Sequence, residues 1–149
     1  MGTLKERIAE EIKASMKSGA KTRLAALRFL STQVTNREKD VRRELSDEEV
    51  QEVAVKEVKR RTEAIEAYDA AGRDDLASRE REEREVLSAY APERLSEAEV
   101  DALVEEAIAT TGASTPQEMG KVMGFVMGRA KGRVDGGAVQ EKVKARLSG

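Results

Sequence analysis

The chain has 149 residues, 27 Lys and Arg against 29 Asp and Glu, 3% aromatic residues, and neither Cys nor His. That inventory excludes thiolate nucleophiles, Cys/His zinc sites, Ser-His-Asp triads and imidazole acid–base chemistry, and leaves no disulfide. The excess of Ala, Glu, Lys, Arg and Leu, with only two prolines, favours helices, because these side chains lose little rotamer freedom there. No Val/Ile/Thr alternation announces a strand, so the expected fold class is all-α.

Taken in order, the chain opens on Lys5, Glu6, Arg7, Glu10, Glu11 and Lys13, which leave no apolar signal core. No apolar run anywhere approaches the ~20 residues of a membrane span, so a cytoplasmic protein without membrane contact is expected. A first helix is predicted over Leu4 to Ser18, with Leu4, Ile8, Ile12 and Met16 on one stripe and Gly19 as its stop. A second begins near Thr22, carries Leu24, Leu27, Leu30, Val34 and Val41, and ends near Arg43. A third carries Val50, Val53, Ala54, Val58, Ile65 and Tyr68 to Gly72. A fourth, the most charged, carries Leu76, Val86, Leu87 and Tyr90 and ends before Pro92, which disfavours helix at Ala91. A fifth runs from Glu97 to Thr111 and stops at Gly112; a sixth runs from Pro116 to about Arg129. After a glycine-rich link, a seventh repeats Val139, Val143 and Leu147. Thr3 with Glu6, Ser46 with Glu49, Ser96 with Glu99 and Thr115 with Glu118 fit the capping box, which satisfies orphan amides of a first turn. The break at Ala91–Leu95 divides an N-terminal four-helix antiparallel arrangement, residues 1–91, from a three-helix unit, residues 92–149.

Charge is unevenly spread. Residues 1–115 carry 20 basic against 26 acidic side chains, whereas Pro116–Gly149 carries seven against three. A basic end on an acidic body suggests an anionic partner, the alternative being solvated helix faces. The most distinctive block is Met119-Gly120-Lys121-Val122-Met123-Gly124-Phe125-Val126-Met127-Gly128, whose methionines form one helical row and glycines the next. Each interior glycine costs near 1 kcal/mol against Ala. Something must therefore approach that row closely, either another helix, with close packing inside the three-helix unit as the plainer reading, or the backbone of a nucleic acid. The link Gly132–Gly137 lacks a P-loop ending; its amides could meet a phosphate, with Asp135 as a helix cap as the plainer reading. Glu80, Glu82, Glu83 and Glu85 alternate with Arg79, Arg81 and Arg84, which reads as ion-paired surface rather than a metal cage. Lys59-Arg60-Arg61 reads as a solvated basic cluster. No catalytic, cofactor-binding or metal-binding residues are assigned.

Leu27-Arg28-Phe29-Leu30, Gly72-Arg73-Asp74-Asp75-Leu76, Tyr90-Ala91-Pro92-Glu93-Arg94-Leu95-Ser96, Met119-Gly120-Lys121-Val122-Met123-Gly124 and Lys131-Gly132-Arg133-Val134-Asp135-Gly136 together resemble the free-standing GatB/YqeY family along essentially the whole chain. Arg94, where the family more often has Gln, and Ala91, where Leu is common, depart from it. Such chains are similar to the C-terminal tail of the B subunit of the glutamine-dependent tRNA amidotransferase. The resemblance implies a helical N-terminal part, a three-helix C-terminal part and a tRNA-binding appendage, with the transamidation chemistry in domains absent here. It makes tRNA the expected partner, with Lys121, Arg129, Lys131 and Arg133 on phosphate and Gly120, Gly124 and Gly128 permitting close approach. The rivals are a docking module on an aminoacyl-tRNA synthetase or amidotransferase assembly, and a carbon–nitrogen ligase using glutamine. The last is disfavoured for the chain alone, because no magnesium–phosphate site or activated nucleophile is found.

Overall fold

The computed structural model describes residues 3–130 and 132–148. Among them are seven α-helices and no strand: α1 Leu4–Ser18, α2 Lys21–Val41, α3 Asp47–Ala70, α4 Asp74–Ser88, α5 Glu97–Thr111, α6 Met119–Arg129 and α7 Gly136–Ser148. The packing separates two compact units, one ending at Pro92 and one beginning at Glu93.

Helix ends follow local chemistry. Ser46 and Ser96 form complete capping boxes with Glu49 and Glu99, each satisfying orphan amides of its first turn. The other two expected boxes form differently. The Thr3 hydroxyl accepts from Glu6 N at 3.2 Å without a return bond, and α1 is instead completed by Leu4 N donating to Asp47 Oδ1 at 3.0 Å. At Thr115 the Glu118 carboxylate accepts from Ser114 N and the Thr115 hydroxyl, both at 3.2 Å. Pro116–Glu118 there is a short 3-10 turn that precedes α6. Gly19 and Gly112 close α1 and α5 in the left-handed conformation, which glycine adopts without steric cost.

In the first unit, α1 packs on α2, α4 lies along α3 and α2, and α3 also reaches α2 and α1. Ile8, Ala26, Leu27, Leu30, Val34, Leu45, Val50, Ala54, Leu87 and Tyr90 form the core. Met16, expected on the α1 apolar stripe, is 56% exposed; the position packed inward on that turn is Ser15, which is buried. Tyr90 is buried beneath the Arg7 guanidinium, 4.9 Å from the ring centroid. Its hydroxyl makes no well-formed hydrogen bond, and burial, with the nearby Glu11 carboxylate, pushes its ionisation up.

Two groups expected to be solvated are so only in part, since each turns some members inward. Arg61 of the supposed basic cluster has a side chain only 15% exposed. It donates to Glu80 Oε2 at 2.9 Å and to Glu83, and stacks 5.0 Å over the Phe29 ring. Glu83, on the acid-rich helix, is buried, as is Glu57, which pairs with Arg60 at 3.6 Å. Arg84 donates to the Thr62 hydroxyl at 3.2 Å. The reason is periodicity: Glu57 and Arg61 on α3, and Glu80, Glu83 and Arg84 on α4, fall on the facing sides of the two helices.

In the second unit, Val100, Val104, Ala107, Ala113, Val122, Val126, Val139, Val143 and Leu147 form the core between α5, α6 and α7. Leu95 N donates to Arg133 O, and Arg133 Nε donates to Glu93 O, both at 2.8 Å, so the segment entering this unit is tied to the link before α7.

Breaking a buried ion pair by removing one partner costs about 3 kcal/mol or more. Arg61→Ala strands Glu80 and Glu83, and is expected to lower the urea unfolding free energy by about that amount. The exposed Arg43–Glu49 pair is testable by pH. The Arg43 hydrogen bonds, at 2.7 and 2.8 Å, together with those from Ser46, lower the Glu49 carboxyl from 4.5 to about 2. Its contribution is therefore complete above pH 4.5 and lost as pH falls towards 2. Arg43→Ala is expected to shift the urea midpoint at neutral pH, with the difference from wild type shrinking across that window.

Candidate nucleic-acid interface

The second unit holds every residue that the sequence nominated for phosphate contact. On α6, Val122 and Val126 are fully buried. A helical turn of 100° per residue places Gly120, Gly124 and Gly128 on the opposite side, and all three are exposed. Among the described residues, a Cβ built on any of them meets no heavy atom within 4 Å beyond the helix's own backbone. Packing inside the unit therefore does not explain the glycine row. Met119 and Met123 pack against the core, and the Met127 methyl reaches towards Gly136 at the start of α7.

The cations divide. Lys121 stands beside the glycine row with its side chain 66% exposed, held only loosely by Glu118 at 3.8 Å. Arg129 stacks 4.6 Å over the Phe125 ring and donates to Glu106 at 2.8 Å. Arg133 spends its Nε on Glu93 O. Lys131 lies outside the described residues. Further along, Lys142 donates to Asp101 at 2.8 Å and Glu97 at 3.3 Å, which raises its ionisation. Arg146 is raised likewise by its bidentate contact with Glu105. The basic C-terminal segment is thus answered by the acidic face of α5, a relation hidden when charge is summed on either side of residue 115. Gly120, Gly124, Gly128 and Lys121 come together on one exposed face, while Arg129 and Arg133 are each engaged within the unit. Asp135 caps α7, accepting from Ala138 N at 3.3 Å, so its carboxylate occupies the place where the sequence allowed a phosphate.

Among the described residues no group of three or more acidic side chains is arranged to hold a metal ion, and no helix is long and apolar enough to cross a membrane. A signal that the charge tally missed lies earlier. From Lys13 through Arg37 the chain has six basic residues and no Asp or Glu.

These features define an all-helical protein of two units whose distinctive surface is a bare glycine row beside an exposed, loosely paired lysine. The chain belongs to the YqeY family, described as Yqey-like protein, whose model matches residues 5–147. It is also similar to "Altered inheritance of mitochondria protein 41, mitochondrial" of Pyrenophora tritici-repentis (strain Pt-1C-BFP), 30% identical over 104 residues, covering 68% of this chain and 58% of that protein. The chain thus matches little more than half the length of that relative.

Exposed glycines in a helix with no close neighbour should be replaceable at a gain. Gly120→Ala, Gly124→Ala and Gly128→Ala are each expected to stabilise the second unit by about 0.5–1 kcal/mol in urea unfolding. Destabilisation would show that an internal contact depends on the missing side chain.

Proposed function

We propose that this protein is a tRNA-handling accessory factor, with no turnover assigned to the chain alone, and that the glycine row of α6 is the face on which RNA is brought close. The observation that carries the reading is the open space over Gly120, Gly124 and Gly128. The helix bears the cost of three glycines, and among the described residues of its unit no close contact recovers it. A sugar–phosphate backbone can approach such a surface to main-chain distance, with Lys121 beside it for phosphate and the Arg133 terminal nitrogens and Lys131 as further donors. With two Phe, two Tyr and no Trp in the chain, contact through RNA shape and backbone is favoured over base stacking. Membership of a family resembling the amidotransferase B-subunit tail supports the same partner. The cytoplasm is kept as the compartment within this reading.

One observation favours a second reading, a protein-docking module on a synthetase or amidotransferase assembly. Arg129, Lys142 and Arg146 are compensated by Glu106, Asp101 and Glu105, which lowers the positive potential of the unit, and a bare glycine row also admits a partner helix.

Titration of fluorescent bulk tRNA, against a duplex DNA control across a salt series, tests the first reading. Wild type is expected to prefer tRNA. Gly124→Leu, which places bulk on the open face without entering the core, is expected to weaken tRNA binding at least about tenfold, or ~1.4 kcal/mol, without lowering the unfolding midpoint. Unchanged affinity would remove α6 from the interface. Recovery of a specific protein partner after nuclease treatment, with no tRNA binding, would establish the docking reading instead.

A further inference from the structure

We infer that the outer face of α2, in the first unit, is a contact surface for the phosphate backbone of RNA; this rests on the proposal that RNA is the partner, and adds a surface that the proposal did not use. In α2, Leu27, Leu30 and Val34 are buried in the core. At 100° per residue, Lys21, Arg28 and Lys39 lie along the opposite side within about 20° of one line. Ala25, Thr32 and Thr35 fill the positions between them, and all six are exposed. From Lys21 to Lys39 the row is about 27 Å long at 1.5 Å per residue. It continues past the helix end to exposed Arg42, and the exposed Lys13 and Lys17 belong to the helix on the other side of the α1–α2 turn.

What distinguishes this row is that its charge is unanswered. Elsewhere arginines with acidic neighbours pair with them: Arg23 with Glu11, Arg43 with Glu49, Arg81 with Asp69, Arg129 with Glu106. Among the described residues Lys21, Arg28, Lys39 and Arg42 make no ion pair, side-chain hydrogen bond or ring contact. Of the two acids on α2, Glu38 is turned away, accepting from Lys5 at 2.8 Å and Leu45 N at 2.9 Å. Asp40 is a quarter turn off the row. About one residue in five of the chain is acidic, so the empty stretch from Lys13 to Arg37 is a marked departure.

The chemistry selects the partner. A lipid surface would need apolar side chains to insert beside the cations, and this face offers only Ala25, with Phe29 at its edge held against Arg61. Lysine and arginine separated by threonine hydroxyls instead match a rigid line of phosphates, which accept from both charged and neutral donors. Because the row is on the far side of α2 from the core, its charges can be changed without disturbing packing.

The test is Lys21→Glu/Arg28→Glu/Lys39→Glu in the full chain, titrated with bulk tRNA across a salt series, with anionic phosphatidylserine vesicles as a parallel probe. The expected result is an unchanged unfolding midpoint, affinity reduced at least about tenfold at low salt, and a log K against log salt slope shallower by about 2 to 3, near 0.9 for each phosphate no longer neutralised. The neutral set Lys21→Gln/Arg28→Gln/Lys39→Gln should do the same more mildly, and serves if the reversed charges impair folding. Unchanged tRNA affinity and slope while Gly124→Leu weakens binding would overturn this inference and leave the α6 reading standing. Loss in the α2 variants with none in Gly124→Leu would support it and withdraw α6. Failure of wild type to bind tRNA, or a variant defect confined to vesicles, would overturn it.

Discussion

Arg61 holds α4 against α3 in a stretch where charged side chains interrupt the apolar packing. The main core cluster takes Val50 and Ala54 from α3 and Leu87 from α4, and buried apolar residues return further along with Ile65 on α3 and Ala77 on α4. Between them Glu57, Arg61, Glu80, Glu83 and Arg84 occupy the facing positions. A guanidinium that satisfies two carboxylates and covers Phe29 fixes the register of α4 on α3 more narrowly than Val and Ala contacts would, because each of its bonds has a direction. Such a network is costly to desolvate. Its value here lies in selecting one alignment among several that a lightly patterned, charge-rich helix pair would otherwise permit.

The second unit solves the same problem at its surface. Glu97, Asp101 and Glu105 recur every four residues on α5 and meet Lys142 and Arg146, spaced likewise on α7. The helices beneath touch mainly through valine and alanine, which are small and not strongly directional. Exposed pairs of this kind contribute little individually, but they set alignment, and they commit cations that would otherwise face solvent. Charge in this protein is therefore mostly structural, and the faces where it is left uncommitted stand out for that reason.

The helices are legible in the sequence because their ends are governed by nearby residues: Ser46 and Ser96 with a glutamate three positions on, Gly19 and Gly112 after the last turn, Pro92 after the fourth helix. Local rules fail where a tertiary partner intervenes. Thr3 lacks its return bond while a residue far along the chain supplies another cap, and Arg61 looks solvated until α4 is laid against α3. The candidate site is half legible. The glycine row is visible as an anomaly, but only the structure shows that no neighbour fills the space above it. The basic C-terminal segment promises more free charge than it holds, since its compensating acids lie on α5, before the point where the charges divide. The α2 row escapes a linear reading for the converse reason. Its cations are diluted by threonine and alanine along the sequence, and they gather only when wound at 3.6 residues per turn.

The bond from Leu4 N to Asp47 Oδ1 spans 43 residues and joins the opening of one helix to the opening of another. An amide at a helix start is ordinarily left to water or to a residue just before it. Here its acceptor emerges from the ribosome only after all of α2 has been made. The opening turn of α1 is therefore completed only when the start of α3 docks. Hydrogen exchange at Leu4 would then follow the docking of α3 rather than local fraying, making this turn a reporter for that docking.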